Sequence, residues 1–198
     1  MAKAIDYYLT LNSPWAYLGG ARLERIAAAR GATIRVKPMK LHEIFPKTGG
    51  LPLPKRAPAR QAYRLAELKR WRAFLDIPLN LAPKFYPADQ DLAARLVIAA
   101  GANGSDPLTL AHAVLRAIWA EERDIADEAT LRSILAENGL SEALMVQAQA
   151  QEAEAALDAL TAEALEAGVF GAPSYICDGE LFWGQDRLDF LERALDRP

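Results

Sequence analysis

Ser13 and Pro14 stand where an alternating segment, Asp6-Tyr-Tyr-Leu-Thr-Leu-Asn12, gives way to a helical one. A serine at that junction caps a helix by accepting a backbone N–H, and a proline suits the first helical position, where its missing N–H would lack a partner anyway. A hydroxyl at the mouth of a helix is also placed to meet an anion, so Ser13 is either a cap or a reactive-site group. Distant residues bear on the choice. Ala172-Pro173 opens a late strand, Gln185-Asp186 opens the last helix, and Trp15 follows the Ser-Pro step. Residues 55–72 hold seven basic side chains against Glu67, a net of +6, which suits attraction of a small anion.

Other chemistry is poorly supplied. Two histidines, His42 and His112, lie far apart, which makes a metal site an unfavoured expectation. One cysteine, Cys177, precludes an internal disulfide framework and points to a reducing cytoplasm. It sits in an apolar strand and reads as packing. The net charge of −3 argues against a general nucleic-acid binder. The N-terminal residues lack the long apolar core of a secretory signal, and no run of about 18 apolar residues suggests a membrane span. With 198 residues, 52% of them hydrophobic, the chain has enough material for a substantial core.

The elements that must position these residues follow from hydrophobic spacing. Residues 3–11 alternate with period two, giving a strand with one apolar face; residues 14–30 follow with helical period, ended by Gly31. Thr33 to Val36 is a short β-branched strand, so the opening is a βαβ unit with parallel strands. Residues 44–58, broken by Pro46, Gly49, Gly50, Pro52, Pro54 and Pro58, read as a long loop. Residues 59–76 return to helical spacing. From about 89 to 167 everything reads helical, with 143–167 as one alanine-rich helix. Asp178-Gly179 then marks a hairpin between Ser174–Cys177 and Leu181–Trp183, and a last helix runs through Leu188, Leu191 and Leu195. The expected fold is therefore α/β: β-α-β, then β-β-α, with a large all-helical insertion between the halves. That is the order of a thioredoxin-like (DsbA-like) core, with residues 1–40 and 168–198 as the thioredoxin-like domain and 41–167 as the insertion.

The segments DYYLTLNSPWAYLG, LKRWRAFLDIPLN and EAGVFGAPSYICDGELFWGQDRLDFLERAL resemble the 2-hydroxychromene-2-carboxylate isomerases, relatives of kappa-class glutathione transferases and DsbA-like proteins. In thioredoxin-like proteins the first helix's N-terminus carries the reactive group, and a proline opening the third strand faces it. Here the usual Cys-x-x-Cys is Ser13-Pro14-Trp15-Ala16, so neither sulfur for thiol–disulfide exchange is present at that site.

The resemblance implies a glutathione cofactor whose thiolate takes a hydrogen bond from Ser13. It implies a cis Ala172–Pro173 bond, with the Ala172 backbone pairing to the cysteinyl unit; the alternative is a trans proline starting an edge strand. Gln185 and Asp186 would hold the γ-glutamyl end. A small aromatic carboxylate substrate would meet Arg60, or alternatively Lys55, with Trp15 either a flat wall for it or a core residue. Family members generally carry an asparagine in the loop, where this chain reads Thr48-Gly-Gly-Leu51, and a lysine where this chain has Arg60. The implied activity is a glutathione-dependent isomerisation in naphthalene-type catabolism, in a cytoplasmic protein that forms a homodimer as its relatives tend to. A kappa-like transferase and a non-catalytic peptide-binding module are the other readings.

Overall fold

The computed structural model describes residues 3–197. Four strands form one sheet in the order β2-β1-β3-β4. β1 (Ala4–Leu9) runs parallel to β2 (Thr33–Pro38), and α1 (Pro14–Arg30) makes the crossover between them. β3 (Ser174–Cys177) lies antiparallel to β1, and β4 (Glu180–Trp183) antiparallel to β3. Asp178 and Gly179 both take positive φ, 51° and 80°, as a tight two-residue hairpin requires. β3 is therefore an interior strand, paired on both sides from Ser174 onward.

Between the two strand pairs lie α2 (Leu41–Thr48), α3 (Pro58–Leu75), α4 (Asp91–Ala102), α5 (Pro107–Trp119), α6 (Glu128–Glu137), α7 (Ala143–Gln149) and α8 (Gln151–Glu166); α9 (Leu188–Leu195) closes the chain. One continuous apolar cluster joins Ile5, Tyr7 and Leu9 of β1 to residues of α1, α4, α5 and α9. The second face of the sheet is covered too. Tyr8 and Met39 pack with Ile44 of α2 and Ala164 of α8, and the Tyr8 hydroxyl donates to Glu163 Oε1 at 2.8 Å. β1 is thus buried on both faces, where its alternation suggests one apolar face only.

Two segments differ from the sequence-based expectation. Residues 41–48, within the stretch read as loop from 44 onward, form α2 with Pro46 inside it. The proline removes one internal hydrogen bond, but Ile44 is fully buried against Tyr8 and Met39, and Gly49 at φ +77° closes the helix. The alanine-rich stretch is two helices, not one. Ala150 turns extended, with φ −70° and ψ 151°, and both α7 and α8 pack on α4. Helix propensity carries no mark of that break, because tertiary packing sets it.

The acidic and basic stretches have different fates. Asp158 and Glu163 of α8 pair with Lys40 and Lys37, both at 2.5 Å, which ties α8 to the end of β2. In the basic stretch, Arg70 pairs with Glu67 one turn away, while Lys55 and Arg60 are exposed and enter no ion pair among the described residues.

Candidate active site

Ser13 is the N-cap of α1, with extended backbone (φ −84°, ψ 117°). Its Oγ accepts the Ala16 N–H at 3.2 Å and donates to the Ala172 carbonyl at 3.2 Å. The residue is 6% exposed. The hydroxyl thus caps the opening turn of α1 and bridges it to the backbone before β3. Proline has no N–H, so the first amide of α1 free for an external acceptor is that of Trp15, which has no partner among the described residues.

The Ala172–Pro173 peptide is cis, as the resemblance implies. The Pro173 carbonyl accepts from Gly184 N at 2.9 Å, which extends the β3–β4 pairing by one step and brings the start of the last helical segment to the Ser13 side of the sheet. The Ala172 N–H has no partner among the described residues. A free N–H beside a carbonyl, next to a helix mouth, is the edge an extended peptide would pair with.

Gln185, Asp186 and Arg187 form a short 3₁₀ turn ahead of α9. Gln185 is buried and already engaged, its backbone and side-chain carbonyls accepting from Arg22 at 3.3 and 3.1 Å. Gly19 makes this possible: a Cβ there would sit 2.7 Å from Gln185 Cβ and 3.1 Å from the Tyr175 hydroxyl. Asp186 is exposed and pairs with Arg187 at 3.1 Å. Of the two, Asp186 has the carboxylate available to a ligand amine, and Gln185 braces the turn beneath it. Trp15 is half-buried and packs against the main core. Lys55 and Arg60 lie at the surface, on the 3₁₀ turn Leu53–Lys55 and the first turn of α3.

The loop that carries Ser13 is held from the segment just ahead of α4 and from Gln90, the N-cap of that helix. The Asn12 side chain clasps Ala88, donating to its carbonyl at 2.8 Å and accepting its N–H at 3.0 Å. Buried Gln90 accepts from Thr10 Oγ1 and from Asn12 N at 3.3 Å, and donates to the Met39 carbonyl at 3.1 Å. Nothing in the sequence marks Gln90 or the Asn12–Ala88 clasp.

The buried titratable groups near this region stay neutral. Burial pushes the Tyr7 and Tyr175 phenols well above the ordinary tyrosine range; their rings stack at 5.4 Å. Cys177 is buried, and burial, followed by the neighbouring Asp178, pushes its thiol up, which suits a packing role.

The DSBA-like thioredoxin domain model matches residues 4–196. A 2-hydroxychromene-2-carboxylate isomerase of Sphingobium xenophagum is 31% identical over 198 residues, 98% of this chain and 99% of that protein. The chain belongs to the 2-hydroxychromene-2-carboxylate isomerase family. The isomerase fold agrees: a solved 2-hydroxychromene-2-carboxylate isomerase superposes with a TM-score of 0.85 at 27% identity, covering 97% of this chain and 94% of that one. Glutathione S-transferase kappa 1 of Caenorhabditis elegans is 34% identical over 82 residues, 41% of this chain and 36% of that protein. Part of this chain is thus similar in sequence to a transferase named for glutathione, while Ser13 stands at the mouth of α1 where no thiol is present.

Proposed function

We propose that this isomerase uses glutathione to convert 2-hydroxychromene-2-carboxylate to trans-o-hydroxybenzylidenepyruvate, with the Ser13 hydroxyl holding the glutathione thiolate. The relatives' names support the reaction, and the kappa transferase supports the cofactor. The observation that carries the reading is Ser13 Oγ lying between Ala16 N and the Ala172 carbonyl, where a thioredoxin-like protein would otherwise place its own sulfur.

The residues present fit the tripeptide. The free Ala172 N–H and its carbonyl offer one step of strand pairing to a cysteinyl unit. The exposed Asp186 carboxylate suits the free amine of the γ-glutamyl end. The unpartnered Trp15 N–H and the positive end of the α1 dipole favour an anion beside Ser13. When bound, glutathione supplies a thiolate that adds reversibly to the conjugated double bond of the opened ring, so that rotation can precede its expulsion.

Ser13 would swing its proton from the Ala172 carbonyl to the sulfur, while its oxygen keeps the Ala16 N–H and so keeps the helix capped. Arg60 and Lys55, exposed and in no ion pair among the described residues, would draw the substrate carboxylate toward the site. The twin arms of the test are calorimetric titration with glutathione and product analysis under turnover. Saturable binding with no net consumption of glutathione is expected. Loss of glutathione into a conjugate would make the protein a transferase, and absence of binding would remove the cofactor from the reading.

A further inference from the structure

The sheet has two edges, and the chain guards them differently. β2 carries Arg35, Lys37 and Pro38, with both cations paired to Asp6 of β1, so charge and a residue without an N–H discourage another strand from joining there. β4, Glu180-Leu-Phe-Trp183, has neither device. Its pairing with β3 fixes which backbone groups are used. Gly184 N donates to the Pro173 carbonyl, and Glu180 and Phe182 stand opposite Cys177 and Tyr175, so by the alternation of an antiparallel ladder these residues bond to β3. Leu181 and Trp183 therefore turn both N–H and C=O away from the sheet, where they meet no backbone partner among the described residues.

A shallow groove of about 380 Å³ runs along this open edge, between β4 and the side of α9 that carries Phe190 and Arg193, with Arg187 and Arg197 also lining it. The charges of α9 and its flanks are sorted across the helix. Asp189 is tied to Arg22, and Glu192 and Asp196 to Arg30, all toward α1. The groove is left with three arginines against the Glu180 carboxylate. Arg197 pairs with Glu180 at 2.7 Å and Arg187 with Asp186 at 3.1 Å, while Arg193 is exposed and enters no ion pair among the described residues. Trp183 and Phe190 are 52% and 54% exposed, and Phe170 steadies the Trp183 ring in a T-shaped contact at 4.9 Å.

Side chains alternate between the two faces of a strand. Glu180 meets Arg197 on the α9 face, whereas Leu181 packs in the second apolar cluster on the opposite face, which Trp183 shares. A strand laid on the edge of β4 would alternate in the same way. Its side chains on one face would meet Arg193 and Phe190, and those on the other would meet Leu181 and Trp183. Acidic residues suit the first set and apolar residues the second. A second copy of this chain suits the edge poorly: two-fold pairing of β4 with its copy would set one arginine-lined α9 beside another, and like charges brought together oppose association.

We infer that the free edge of β4, with Arg193 and Trp183 beside it, docks an extended segment of another protein whose side chains alternate between acidic and apolar. Main-chain hydrogen bonds to Leu181 and Trp183 would give affinity, and the arginines and the two aromatic side chains would give selectivity. Ser13, Ala172 and Asp186 do not line the groove, so the inference stands apart from the glutathione reading.

The test uses the whole protein and a fluorescein-labelled peptide amide, Glu-Val-Glu-Val-Glu-Val-Glu, followed by fluorescence anisotropy. Saturable binding that weakens with added salt is expected. The same peptide with lysine for glutamate should bind about tenfold more weakly or worse, having the wrong charge. So should a copy N-methylated at its valines, which stand opposite Leu181 and Trp183 in an antiparallel pairing and would lose their donors. Arg193→Glu should weaken binding of the acidic peptide about tenfold or more, and Phe190→Ser about threefold or more. Both residues are exposed, and both variants should keep glutathione affinity and turnover within about twofold of wild type.

Absence of binding up to about 1 mM peptide would overturn the inference. So would equal binding of the glutamate and lysine peptides, equal binding of the N-methylated copy, or unchanged affinity in both variants. Sedimentation of the same samples decides against a second copy: a wild-type dimer that Arg193→Glu converts to monomer would assign the edge to self-association and overturn the inference as well.

Discussion

Replacing Ser13 by alanine tests the centre of the functional reading, and the structure sets the size of the effect. A free thiol has a pKa near 8.5, so raising or lowering it by one unit corresponds to about 1.4 kcal/mol. A hydrogen bond to a charged group contributes about 1.5–3 kcal/mol. In the ligand-free protein, however, the Ser13 proton already goes to the Ala172 carbonyl at 3.2 Å. Redirecting it to sulfur forfeits a neutral bond worth about 0.5–1.5 kcal/mol, leaving a net gain of roughly 0–2.5 kcal/mol, centred at about 1.25. The α1 dipole and the Trp15 N–H remain in the variant and contribute equally to both proteins.

Ser13→Ala should therefore raise the pKa of bound glutathione by about one unit. Thiolate absorbance against pH, measured on the saturated complex, reads it directly. The same change removes the cap that accepts Ala16 N–H and should cost about 1 kcal/mol of stability, seen as a lower urea midpoint at constant slope. Ser13→Thr keeps the hydroxyl and should stay within about half a unit of wild type. A bound thiol that titrates identically in wild type and Ser13→Ala refutes the reasoning, whatever happens to turnover.

Four further outcomes follow from the same structure. Ser13→Cys places a thiol at a helix N-terminus, where its pKa falls; treated with oxidised glutathione it should form a mixed disulfide, detected as one added glutathionyl mass, and release one glutathione thiolate. His112 is half-buried, with its Nε2 shielded and without a partner among the described residues, and burial lowers its pKa below 6.5, so the unfolded chain takes up more protons below that pH. Its stabilising contribution is complete above about pH 6.5 and is lost as pH falls from there through the lower folded pKa; His112→Gln should flatten the wild-type decline in melting temperature between about pH 7 and 5. A Cβ on Gly20 would lie 2.5 Å from His112 Nε2, so Gly20→Ala should destabilise by about 1–3 kcal/mol in urea unfolding. Asn12→Ala removes both bonds of the Ala88 clasp and should cost about 1–3 kcal/mol while loosening the Ser13 loop, visible as faster amide exchange at residues 10–16.

What the sequence makes legible here depends on whether the signal is local. The Ser-Pro step, the αL glycine at 31 and the Asp-Gly hairpin are chemical necessities of their own few residues, and each is found where the pattern places it. The β1–β2 and β3–β4 pairings follow from the βαβ and hairpin connections in the same way, while the placement of β3 beside β1 is a long-range contact that no local pattern marks. α2 was hidden because Pro46 is a true local objection to a helix, overruled by the burial of Ile44 against residues far off in the chain.

The same distinction runs through the site. Ser13 announces itself by its position, but Arg64 is one of seven basic residues between 55 and 72, and nothing in its neighbourhood separates it from Arg60 or Lys69. Only the meeting of α3, α5 and the segment around Tyr86 sets that one guanidinium beside two touching rings and leaves Arg64 Nη2 and Trp119 Nε1 without acceptors among the described residues. The exposed charges in a basic stretch can be exchanged with little structural effect. Arg64, half-buried beside the Tyr86 and Trp119 rings, is held by packing, so its replacement should disturb the fold more than replacement of the surface cations would.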